Sequence, residues 1–194
     1  MTPDRQPRIV LIRHGRSALD LDGEWVDASG LDRWRLAYDA AAIATDDHPA
    51  AALVERAARA DAVIASDLPR AVMSAGRLAG GREIVVSPLL RECDPAIPTW
   101  LPWRWPLPVW EAAAHVQWFY RIVRGTDVTP DVRDRVTAAA DWLVALAREQ
   151  PNLAVVTHGV FRRLLALHLI ATGWTAAPGP WSYKNWSAWE LHSG

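Results

Sequence analysis

The chain has 194 residues, enough for one domain with a sizeable core, since a chain of this size buries roughly 70% of its unfolded surface. Its 21 basic and 22 acidic residues nearly cancel, which excludes the strong field that draws nucleic acid or an anionic membrane from a distance, so any anion site has to be local. The single cysteine, Cys93, excludes an intrachain disulfide framework and a cysteine zinc cage and fits a reducing compartment.

The start, "MTPDRQPRIV", has no apolar leader core, and no apolar run approaches the ~18 residues of a membrane span. A soluble cytoplasmic protein is the expectation. The basic residues are 20 arginines against one lysine, Lys184, which supplies many planar guanidiniums suited to phosphate or carboxylate.

The first element is the apolar run Ile9–Ile12, which leads into Arg13, His14 and Gly15. Too short for a helix and rich in Ile, it predicts a buried parallel strand. Residues 31–60 are alanine-rich and predict one or two helices. A second strand follows at Ala62–Ala65, then the turn "SDLPRA" and a helix over 69–80 stopped by Gly80-Gly81. "REIVVS" at 82–87 is a weaker strand candidate.

Residues 94–124 break the alternation with five prolines and five tryptophans, then a helix from about Val109; the expectation is an insertion folded over the sheet edge. The next helix, 130–151, has Thr129 at its N-cap, Pro130 at its first position and an apolar stripe of Val132, Val136, Ala139, Ala140, Leu143 and Leu146. A third strand spans Leu153–Thr157, and a helix from 160 ends at Gly173. "WSAWELH" at 186–192 predicts a final strand, antiparallel to the rest. Strands alternating with helices predict a three-layer α/β/α sandwich around a mostly parallel sheet with an antiparallel edge strand, in one domain over 1–194.

In such sheets ligands bind beyond the carboxyl ends of the strands. The three exits here are Arg13-His14-Gly15, Ser66 to Ala71, and Thr157-His158-Gly159. Parallel strands bring them to one edge, which gathers two histidines with Arg13 and Arg70. Like charges in a partly dry site repel until an anion fills it, and a phosphoryl group accepts several donors at once. Glycine after each histidine allows close backbone approach, and the helix starts near 69 and 160 would turn N–H groups toward the anion.

These residues resemble the histidine phosphatase superfamily, also called phosphoglycerate-mutase-like. Its strand ending in Arg-His-Gly is matched by Arg13-His14-Gly15, its "S-x-x-x-R-A" turn by Ser66 to Ala71, and its later His-Gly by His158-Gly159. The resemblance spans roughly residues 8–170. It implies metal-independent, cofactor-free hydrolysis of a phosphomonoester or phosphohistidine, with His14 as nucleophile and a covalent phosphohistidine intermediate. Arg13, Arg70 and His158 would clamp the phosphoryl oxygens, with Ser17 and Gly159 also at the substrate. Glu92 of "LLRECD" would protonate the leaving group, with Asp94 as rival; burial under the tryptophan-rich segment would raise the acid's pKa and Arg91 beside it would act the other way. Asp20 is an unsafe phosphate ligand, and the mutase branch is disfavoured by the short chain and the loop after Glu92.

Taken singly, His14 at a strand end is a structural histidine, Arg70 a solvated helix-start residue and Glu92 a surface carboxylate; three exits in register reverse this for His14 and Arg70. His48, His115, His168 and His192 are expected to be structural or exposed, Arg162 and Arg163 to lie on a solvated helix face, with extension of the anion site as the alternative, and Cys93 to have no catalytic part. Trp100, Trp103, Trp105, Trp110 and Trp118 are expected to close the insertion onto the core, with a lid over a planar leaving group as the sharper alternative. The expected partner is a small phosphorylated substrate or a phosphohistidine protein, with neither nucleic acid nor membrane. Two other functions compete: a phosphoryl-binding scaffold of the same fold with weak or no turnover, and a metallohydrolase on His14 and His158, which lacks an "HExxH" or "HxD" pair.

Overall fold

The computed structural model describes residues 6–19, 23–93, 103–123, 130–179 and 181–194. In chain order the elements are β1 (Arg8–Arg13), β2 (Trp25–Val26), α1 (Ala28–Ala40), α2 (Ala51–Ala58), β3 (Ala62–Ser66), α3 (Pro69–Ala79) and β4 (Ile84–Ser87). They continue with a 3-10 turn (Pro88–Leu90), β5 (Trp105–Pro106), α4 (Leu107–Val123), α5 (Pro130–Glu149), β6 (Asn152–Thr157), α6 (Gly159–Ala171), β7 (Thr175–Ala176) and β8 (Ala188–His192).

The main sheet has the order β4-β3-β6-β1-β8-β7. β1, β6, β3 and β4 are parallel, while β8 runs antiparallel to β1, and β7 to β8. Both faces are covered, which is why the central strands are apolar without alternation. Ile9, Leu11, Ile64, Leu153 and Val155 face α5 and α6, packing on Ala139, Leu143, Phe161 and Leu165. Val10, Ile12, Val63, Ala65 and Val156 face α2 and α3, packing on Leu53, Ala57, Ala75 and Leu78. A one-residue slip of β1 would exchange these two sets and shift Arg13 from its place opposite Thr157, so the register of the core and the residues at this edge are specified together.

The expected strands and the 69–80 helix lie where periodicity places them. Gly80, with φ 59°, ends α3 in the left-handed conformation that glycine tolerates. The alanine-rich stretch resolves into α1 and α2, α1 starting at Ala28 because Asp27 caps it through Gly30 N–H at 2.8 Å. The short strands β2, β5 and β7 have no sequence signal at two residues each.

Of the tryptophan-rich insertion, 94–102 lie outside the described residues, with Asp94 and Trp100, as does Asp20. Its described part pairs β5 with β2 and packs Leu107 and Trp110 on Val26, Leu31 and Trp34, a third cluster beside the two sheet faces. Trp110 is fully buried and donates its indole N–H to Val26 O at 2.9 Å. Trp103 does not pack as expected: it is 85% exposed.

Candidate active site

The parallel register places the ends of β1, β3 and β6 on one edge, Arg13 opposite Thr157. The rings of His14 and His158 lie 5.0 Å apart, centroid to centroid, and both residues are buried, as is Arg70 in the first turn of α3. His14 Nδ1 lies 2.7 Å from Gly15 O, and a carbonyl can only accept, so the proton is on Nδ1 and the lone pair on Nε2. Burial above all pushes His14 down to about 3, Arg70, Arg13 and Arg162 acting in the same sense and the Gly15 bond against it. His158 is also held well below the usual histidine range, first by burial and then by His14 and the arginines. Both imidazoles are neutral at pH 7.

Ser66, buried at the end of β3, lies 2.9 Å from His158 Nε2 through its Oγ. That oxygen also accepts from Leu68 N–H at 3.4 Å, so Ser66 ties the ring of His158 to the start of α3. His158 Nδ1, Arg13 Nε and Arg70 Nε are buried without hydrogen-bond partners. The Arg70 Nη groups donate to Tyr38 O at 2.8 Å and Asp39 Oδ1 at 3.1 Å, and its guanidinium sits 4.4 Å over the Tyr38 ring. Sequence reasoning missed Tyr38 and Asp39; they follow no motif and reach the site only because α1 packs beside α3.

Glu92 stands at the same edge, but its carboxylate caps α6: Oε1 accepts from Phe161 N at 2.9 Å and Cys93 N at 3.0 Å, Oε2 from Val160 N at 3.3 Å. The N–H groups expected to meet the phosphoryl group at the α6 start are thus taken by Glu92. Arg135 of α5, another residue the sequence did not single out, holds this loop by donating to Leu89 O, Arg91 O and Glu92 O at 3.3, 2.5 and 3.2 Å. Arg91 turns away from Glu92 and grips Asp67 with two bonds of 2.7 and 2.6 Å, holding that carboxyl below its usual range. Ser17 is buried, and its Oγ accepts from Leu19 N at 3.1 Å.

The two glycines serve different ends. A Cβ on Gly159 would lie 3.5 Å from Arg13 Nε, an ordinary contact. One on Gly15 would lie 2.5 Å from Trp186 Cζ2 and 2.7 Å from Asp47 Oδ2, so the close approach there is made by the protein itself.

Arg162 corrects the expectation of a solvated face. It is fully buried, donates to Ser187 O, Ser182 O and Ser187 Oγ at 2.5, 2.9 and 3.1 Å, and lies 3.8 Å over the Trp189 ring. Burial and then Arg13 lower it to about 10. It ties down the segment after β7, whose Asn185 Nδ2 donates to His14 O at 2.9 Å. His192 pairs with Glu190, and His48 lies 3.5 Å from Arg77.

A family model described as the histidine phosphatase superfamily, branch 1, matches residues 9–191. The chain belongs to this superfamily. No curated protein matches it. Among solved structures, a mycobacterial glucosyl-3-phosphoglycerate phosphatase complexed with VO3 is similar at a TM-score of 0.59 and 16% identity, over 95% of this chain and 92% of that one. A structure named mycobacterial hydrolase 1 is similar at 0.57 and 18%, over 95% and 96%. An Escherichia coli protein described as a putative alpha-ribazole-5'-P phosphatase is similar at 0.52 and 18%, over 84% and 80%. At these identities the likeness shows the histidine phosphatase fold. Among the described residues no helix is long and apolar enough to cross a membrane.

Proposed function

We propose that the chain is a phosphatase that hydrolyses a phosphomonoester or phosphohistidine through a covalent phosphohistidine on His14. The observation that carries this reading is the set of buried, unpartnered nitrogens at the neutral His14: the N–H donors Arg13 Nε and Arg70 Nε, and the ring nitrogen His158 Nδ1. Unsatisfied buried donors are costly, and a tetrahedral oxyanion satisfies several together. Family membership supports the same chemistry.

His14 Nε2 attacks phosphorus in line as the bond to the leaving oxygen breaks. Glu92 donates the proton that the leaving oxygen takes. Water then attacks the phosphohistidine and returns a proton to Glu92, the N–P bond breaks, and phosphate leaves. Arg13, Arg70 and His158 hold the equatorial oxygens, with Ser17 and Gly159 beside them, and removal of one such donor costs about 10²–10³ in rate. Arg70 changes partners on binding, since its Nη groups are held by Tyr38 O and Asp39.

The test is hydrolysis of p-nitrophenyl phosphate in chelator, with an alkaline denaturing quench to trap a phosphorylated histidine, whose N–P bond survives base but not acid. Loss of both signals in His14→Ala supports the mechanism, and activity that survives the substitution refutes it. The Asp39 contact and the capping role of Glu92 favour a second reading, a phosphoryl-binding protein with weak turnover. Vanadate binding without hydrolysis across a broad substrate panel would establish that reading instead.

A further inference from the structure

The two peptide groups after His14 are each held at both ends. In the His14–Gly15 peptide the carbonyl accepts from Asn185 Nδ2 at 2.9 Å, and the N–H donates to Ser74 Oγ at 2.9 Å. In the Gly15–Arg16 peptide the carbonyl faces His14 Nδ1 at 2.7 Å, and the N–H donates to Asp47 Oδ2 at 2.5 Å. One peptide group therefore joins the imidazole to a carboxylate.

Asp47 is itself fixed. The same Oδ2 accepts from Trp186 Nε1 at 2.7 Å, and the Asp47 N–H donates to Ala44 O at 3.2 Å. Trp186 sits in the left-handed region at φ 60°, with its ring against Gly15. A non-glycine residue held there is strained, and surrounding contacts have to compensate for it. The neighbouring Asp46 takes the Arg16 guanidinium instead, at 2.8 and 3.0 Å.

A negative charge at the N–H end of a peptide group polarises it and makes its carbonyl oxygen a stronger acceptor. That oxygen is the one His14 Nδ1–H meets. A stronger acceptor pins the Nδ1–H tautomer and ring orientation and leaves Nε2 richer in electrons, as outer partners do for metal-binding histidines.

We propose that Asp47 is a positioning residue for His14, acting through the Gly15–Arg16 peptide to hold the imidazole as the Nδ1–H tautomer with Nε2 free to attack. The inference rests on His14 as nucleophile, but its primary readout needs no turnover. The full chain, labelled with 15N in its histidine rings, shows His14 Nδ1 as a protonated nitrogen and Nε2 as an unprotonated one. In Asp47→Asn the two resonances move toward each other, and kcat for a phosphomonoester falls about tenfold with KM changed less than about twofold. Asp47→Ser, shorter and uncharged, moves the resonances in the same direction and serves if the asparagine variant does not fold. Asp46→Asn removes the same charge one residue away and leaves both tautomer and kcat unchanged. Unmoved ring resonances in the folded Asp47 variants overturn the proposal, and so does an equal shift in Asp46→Asn, which would reduce the effect to a general field. Activity surviving in His14→Ala would refute the proposed function alone, because the ring resonances decide the Asp47 relay independently.

Discussion

Lowering the pH should destabilise this protein through its buried neutral histidines. His14 binds a proton at about 3 in the folded chain and near 6.5 when unfolded, so between those values the unfolded state holds more protons. Stability from this group is complete above pH 6.5 and is lost as the pH falls toward 3. Between pH 7.5 and 5.0 the linkage amounts to about 2 kcal/mol from His14 alone. His158 acts in the same sense, its position being depressed by burial and by the same arginines. With a urea m-value of about 2 kcal/mol per molar, the His14 part is a shift of about 1 M in midpoint. The assay is urea unfolding at both pH values for the wild type and His14→Asn. The wild-type midpoint should drop by about 1 M more than that of the variant. Inorganic phosphate should shrink the wild-type drop, because a bound anion favours the protonated imidazole. Equal drops in the two proteins would refute the assignment of His14 as a buried neutral base.

Glu92→Gln keeps an acceptor oxygen for the α6 N–H groups but removes the acid. Its kcat should fall about 10²-fold or more for alkyl phosphates and far less for p-nitrophenyl phosphate, whose leaving oxygen needs no proton. Gly15→Ala drives a methyl group to 2.5 Å from Trp186 Cζ2 and 2.7 Å from Asp47 Oδ2. Thermal unfolding should register about 1–3 kcal/mol of lost stability from the overpacking, and the displaced nucleophile should lower kcat about 10²-fold. Arg162→Met leaves the Ser182 and Ser187 carbonyls without their donor. Limited proteolysis should then cut within 182–187, and stability should fall by about 1–3 kcal/mol.

The arginine that sequence reasoning assigned to a solvated face shows where such reasoning ends. Arg162 sits one turn into α6, a position that pattern alone gives to solvent, yet the segment after β7 folds over it. Glu92 carries a similar lesson: its neighbourhood was legible, but the three main-chain N–H groups on its carboxylate depend on how the loop after β4 meets α6. Tyr38, Asp39, Asp47 and Asn185 were silent for a common reason. Each acts through contacts to residues far along the chain, and those of Tyr38, Asp47 and Asn185 include main-chain groups, which carry no residue code.

By itself the sequence determined the sheet and its chemical edge. Short Val- and Ile-rich runs can be buried only as strands covered on both faces, and parallel strands must bring Arg13-His14, Ser66 to Arg70 and Thr157-His158 to one side. Tertiary structure alone decided the protonation of that edge and its supports. Burial makes both histidines neutral, the carbonyl of Gly15 chooses the tautomer of His14, and Asp47 and Asn185 hold the peptides around it. Those are properties of solvent exclusion and hydrogen-bond direction, which arise only when distant segments meet.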